Sequence, residues 1–257
     1  MEENELEEFF DPTSPFLTAI ADKAAALRND PDSVLGQPQN IKRLVTLSLY
    51  KPVIYCDDSG SMQGPRWTAQ AMLVDRIARI ATKIVPSNLG VDLQFINGPP
   101  SFNVSAEAIR NIIAGRSPGG STPLGSSLQR KILKPIVEEA LARGSFDRPV
   151  LVCIITDGVP DSENPTFKQV ILNCMQYLGN KGLPITAVKY CISQIGDDPQ
   201  AARFLRELSQ DSQLNDVVFC TTDRLDAEFE KLKEQEGRLE EWLLRLLTAP
   251  LMKVGLN

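Results

Sequence analysis

The chain has 257 residues, 42% hydrophobic and 23% charged, which suffices for one sizeable α/β core with extensions. Its net charge of −6 and pI of about 4.9 argue against nucleic acid as the main ligand, because such binding needs Lys and Arg to neutralise phosphates. Histidine is absent altogether, which removes Ser-His-Asp triads, His general bases and His-containing zinc sites.

The opening residues, Met1 to Glu8, are acidic, whereas a secretory leader opens basic and a mitochondrial leader is rich in Arg and Ser. The apolar run from Val150 to Ile155 is too short to cross a bilayer. These features predict a soluble chain of the cytosol or nucleus with no membrane partner. Cys56, Cys153, Cys174, Cys191 and Cys220 form no C-x-x-C pair and read as reduced, mostly buried thiols.

Residues 1–15 read as a flexible acidic tail. Ser14 as N-cap and Pro15 at the first helical position predict a helix over 15–27. Residues 29–40, rich in Asp, Pro and Gly, read as a connector. The chain thus divides into an N-terminal extension, 1–43, and a folded domain, 44–257. Within the domain, a strand over 52–56 ends abruptly at Asp57. Residues 66–85 set Leu73, Ile77, Ile80 and Ile84 on one face and Asp75, Arg76, Arg79 and Lys83 away from it, the pattern of an amphipathic helix. A second strand follows over 91–96. After the turn Asn97-Gly98-Pro99-Pro100, residues 102–104 pair back as an antiparallel edge.

A short helix over 105–114 leads to a loop, then to a longer helix over 123–143 with a kink expected near Pro135. Residues 149–156 are continuously apolar, which predicts burial on both faces of a parallel sheet. A helix over 166–178 stops at Gly179-Asn180. A strand over 185–191, a helix over 199–210 and a strand over 217–221 come next. The last helix, 223–247, carries Leu225, Phe229, Leu232, Leu239, Leu243 and Leu246 at helical spacing. This alternation predicts an α/β, Rossmann-like fold. Its sheet is doubly wound, mostly parallel and six-stranded, with one short antiparallel edge strand and helices on both faces. Ligands of such sheets bind beyond the carboxyl ends of the strands.

Three loops fall at such positions: Asp57-Asp58-Ser59-Gly60-Ser61, Gly119-Gly120-Ser121-Thr122-Pro123 and Thr156-Asp157-Gly158. They supply carboxylates and hydroxyls with no His or Cys, a donor set suited to a hard cation, Mg²⁺ or Mn²⁺ before Ca²⁺. Alternation along an extended turn lets Asp57, Ser59 and Ser61 converge while Asp58 and Gly60 face elsewhere. With two carboxylates and neutral hydroxyls, the metal keeps positive charge and an open position that a carboxylate from another molecule would fill.

The D-x-S-x-S sequence after the first strand, the Thr of a G-G-x-T loop and the Asp of a T-D-G turn resemble, in order and spacing, the metal-ion-dependent adhesion site of von Willebrand factor type A domains. The resemblance spans roughly residues 44–247. It implies that Ser59 and Ser61 ligate one cation directly and that Thr122 does so directly or through water. Asp57 and Asp157 would hold metal-bound waters or ligate in one state. It further implies a non-enzymatic module, of the intracellular branch, that binds a protein partner through a Glu or Asp completing the metal sphere. In some such domains the last helix slides when ligand binds, and here that helix is 223–247.

Plainer roles compete for the same residues. Asp57, Ser59 and Gly60 suit any strand-to-helix turn, where Asp or Ser caps the helix. Asp58 reads as a solvated or backbone-bonding residue, and Asp161 and Glu163 as rim charges. The enzymatic alternative is a Mg²⁺-dependent phosphohydrolase with Asp57 as nucleophile. Enzymes of the haloacid dehalogenase type usually show D-x-D there, and Ser59 stands at the second position. Neither G-x-G-x-x-G nor G-x-x-x-x-G-K-[ST] occurs, which disfavours a nucleotide site.

Overall fold

The computed structural model describes residues 6–221 and 223–252. Six strands form one sheet: β1 (Lys51–Cys56), β2 (Val91–Phe95), β3 (Ser101–Val104), β4 (Val150–Thr156), β5 (Val188–Gln194) and β6 (Val218–Cys220). Their order is β3-β2-β1-β4-β5-β6, parallel throughout except for the antiparallel edge strand β3. This is the doubly wound α/β arrangement that the alternation of elements predicts.

The parallel strands are apolar on both faces because both faces are covered, and alternate residues serve opposite layers. Ile54 and Cys56 of β1 join Leu151, Cys153 and Ile155 of β4 in one core. That core is closed by α1 (Pro15–Arg28), α2 (Pro38–Ser48), α3 (Pro65–Ala81), α4 (Ala106–Ala114), α9 (Leu225–Leu232) and α10 (Glu236–Thr248). Val53 and Tyr55 join Val150, Val152 and Ile154 in the other core. There the cover comes from α5 (Leu124–Leu128) with its continuation, α7 (Phe167–Asn180) and α8 (Pro199–Ser209).

The strand expected over 185–191 starts only at Val188, after a 3₁₀ turn over Ile185–Ala187, and runs on to Gln194. Four further segments depart from the sequence reading. Residues 1–5 of the expected tail lie outside the described residues, but from Leu6 two side chains anchor the rest of it. Leu6 and Phe10 are buried, and Phe9 meets Phe146 edge-on at 5.8 Å. The connector and the start of the domain hold α2, opened by Pro38, with Leu44 and Leu47 buried and the Asn40 amide donating to Val34 O at 2.9 Å. Around Pro135, where the sequence predicts a kink, the chain runs as a π-helix over Gln129–Glu138 between α5 and α6 (Glu139–Ala142), a wider turn that leaves room for a residue with no N–H to give. The single last helix is two, α9 and α10, separated at residues 233–235.

All five cysteines are free and buried. Burial pushes the Cys153 and Cys220 thiols up to about 12 and Cys174 up to about 11, with Cys56 and Cys191 also well above the usual thiol value. Among the described residues, no helix is long and apolar enough to cross a membrane.

Candidate functional site

The strand order reverses direction at β1 and β4, so the loops leaving their carboxyl ends flank the crevice where doubly wound sheets bind ligands. The pairing of Cys56 with Ile155 brings Asp57 beside Thr156. Asp57 is 1% exposed, and each of its oxygens is engaged. Ser59 N donates to Oδ1 at 2.9 Å and Thr156 Oγ1 to Oδ2 at 2.6 Å, while Gln70 of α3 donates to the Asp57 carbonyl at 2.9 Å. Burial raises the Asp57 carboxyl above its ordinary value. The hydrogen bonds from Ser59 and Thr156 offset part of that rise, and the nearby Asp157 charge adds to it.

From Asp57 the cluster continues through hydroxyls. Ser59 Oγ and Ser61 Oγ lie 3.1 Å apart, and Ser61 Oγ donates to Asp157 Oδ1 at 2.7 Å. Asp157 is likewise 1% exposed, and its Oδ2 accepts from Arg66 Nη1 at 2.6 Å. Loop one and loop three are thus joined side chain to side chain.

The second loop is tied to the first through its backbone. Gly60 N donates to Gly120 O at 3.0 Å and Gly119 N to Asp58 O at 2.8 Å. Gly120 holds a φ of 91°, and a Cβ there would press on the Asn97 side chain, which donates to Gly119 O and Ser121 O. Thr122, 9% exposed, donates from its N–H to Asp161 Oδ2 at 2.9 Å and accepts from Asp161 N at 3.0 Å. The structure therefore gathers Asp57, Ser59, Ser61 and Asp157 in one hydrogen-bonded cluster and anchors Thr122 in the loop between their neighbours.

Asp58 faces away, as alternation predicts, and of the two roles read for it the structure shows the backbone-bonding one, in a buried position. Its carboxylate accepts from Asn97 N at 2.7 Å and Gly98 N at 2.8 Å. Asp161 and Glu163 are not loose rim charges. Asp161 holds Thr122, and Glu163 accepts from Gly125 N at 2.9 Å and Ser126 N at 2.8 Å, satisfying two orphan donors at the start of α5. Arg66 is the residue that sequence reasoning missed. One signal pointed to it: a cation in the first turn of a helix opposes the helix dipole and so implies a specific anionic partner.

Could these residues hold a cation? Two buried carboxylates joined by serine hydroxyls make an all-oxygen donor set of the kind that suits a hard divalent ion. No cluster of three or more His, Cys, Asp or Glu side chains placed for a metal occurs among the described residues, so hydroxyls would have to complete any ligand set here. The chain matches no protein-family model, and a search of curated proteins finds no match.

Proposed function

We propose that the chain is a metal-dependent protein-interaction module of the von Willebrand factor type A kind. Asp57, Ser59, Ser61, Thr122 and Asp157 would hold one divalent cation, Mg²⁺ or Mn²⁺, and a partner's Asp or Glu carboxylate would bind there. The observation that carries this reading is the convergence at the switch point of two buried aspartates linked through Ser59, by its N–H and hydroxyl, and the Ser61 hydroxyl. When bound, such an ion supplies a Lewis-acidic position for the incoming carboxylate. The chain's own residues do the positioning: Thr156 and Ser59 N orient Asp57, Ser61 orients Asp157, and Asp161 fixes the Thr122 loop.

Asp57 is poorly set up as a phosphohydrolase nucleophile, because both oxygens are engaged and the residue is buried. Five free thiols fit a reducing compartment, the cytosol or nucleus. The test is an array of Glu- and Asp-bearing peptides probed with Mg²⁺ or Mn²⁺ and again with EDTA. Capture is expected only with metal, and Asp57→Ala and Thr122→Ala should each abolish it. Capture that persists through chelation and both substitutions overturns the reading.

A further inference from the structure

The cluster carries a cation of its own. The Asp157 side chain is 0% exposed, and Arg66, 33% exposed, reaches it from the first turn of α3. The same guanidinium lies 3.4 Å from Ser61 O through Nη1 and 3.6 Å from Asp197 Oδ1 through Nη2. Gly196, at φ 79°, makes space for it: a Cβ there would fall 2.6 Å from Arg66 Nε. Gly196 is in turn anchored by its N–H to Asp226 Oδ1 at 3.2 Å. A buried carboxylate stripped of its counter-charge is costly, and a charge-assisted pair of this length is among the stronger hydrogen bonds.

Resting on the metal-site reading above, we propose that Arg66 is an internal competitor for the divalent cation. Guanidinium and metal draw on the same anion, Asp157, so Arg66 raises the cation concentration at which the site fills. Its hold on Asp157 is set by the backbone at Gly196, at the carboxyl end of β5. A purely orienting role makes the opposite prediction. An arginine that steadied Asp157 for the metal would, when removed, leave the site weaker.

The experiment is calorimetric titration of Mn²⁺ into the wild-type chain and the variants R66M, R66K, G196A and D57A, with circular dichroism to check each fold. R66M should bind Mn²⁺ about tenfold more tightly than wild type, the equivalent of one hydrogen bond to a charged group. R66K, which keeps the charge, should stay near wild type. G196A, which dislodges the guanidinium without altering it, should move toward R66M. Melting curves give a second readout, with Mn²⁺ raising the midpoint more in R66M than in wild type. If R66M binds equally or more weakly while wild type binds, the competitor role is overturned and the metal site stands. If neither takes up Mn²⁺, the metal site itself is overturned, and the competitor with it.

Discussion

Replacing Asp58 by Ala tests whether adjacent aspartates have separate jobs. The Asp58 carboxylate accepts two backbone N–H groups, from Asn97 and Gly98 at 2.7 and 2.8 Å, in a site only 6% exposed. Hydrogen bonds to a charged group contribute about 1.5–3 kcal/mol each, and stranded buried donors keep most of that loss. Water entering the space left by the side chain recovers a share, so we expect a cost of about 3 kcal/mol for Asp58→Ala. Asp58→Asn retains one acceptor and should lose about half as much. For a chain of this size each kcal/mol moves the midpoint by about 2–4 °C, giving a fall of about 6–12 °C for the alanine variant. Urea unfolding should show a lower midpoint with an unchanged slope. Mn²⁺ binding at folding temperatures should survive. A stability change under about 1 kcal/mol would refute the anchoring role. So would loss of Mn²⁺ binding with stability intact.

Three further outcomes follow from the same geometry. Because burial raises the Asp57 carboxyl, the folded chain keeps that proton to higher pH than the unfolded chain. Stability from the protonated form is present below the ordinary value of 3.8 and lost as pH rises through the raised folded value. Without metal, Asp57→Asn should therefore melt above wild type at pH 7, with the gap closing in acid, and Mg²⁺ should raise the wild-type midpoint alone; equal responses to Mg²⁺ would contradict this. Glu163→Gln, which weakens acceptance from Gly125 N and Ser126 N, should cost about 1–2 kcal/mol in urea unfolding, and a neutral result would remove Glu163 as the clamp on α5. Gly125→Ala would set a Cβ 2.9 Å from the Phe167 backbone, so α5 and α7 must part at a cost of about 1–3 kcal/mol, and unchanged stability would show that this approach is not tight.

The strands were legible because burial on both faces leaves little choice of residue: β4 is apolar from Val150 to Ile155 and ends on Thr156, with Asp157 directly after it. The edge strand was legible from the Asn97–Pro100 turn. Asp57 and Asp157 could be placed on one rim because both directly follow parallel strands, and position after a strand is a sequence property. What stayed hidden depends on packing that the residue pattern does not announce. Residues 37–40 read as a connector, since nothing local shows that Asn40 is buried against Val34 O. Leu6 and Phe10 sit among acidic residues whose charge masks them as anchors. The break between α9 and α10, at residues 233–235, is announced only by Gly237 just past it, and the leucine stripe running through masks that signal. Arg66 is read locally as one more polar helical residue, and only the fold brings Asp157 and Gly196 to it.

The five thiols spread across the sheet and α7 give the molecule a built-in clock. Cys56, Cys153, Cys191 and Cys220 lie on four different strands, each out of reach of a soluble alkylating reagent while the strands stay covered. Modification at neutral pH then waits on exposure, so the order in which the four are tagged under mild denaturant ranks the strands by how readily each opens.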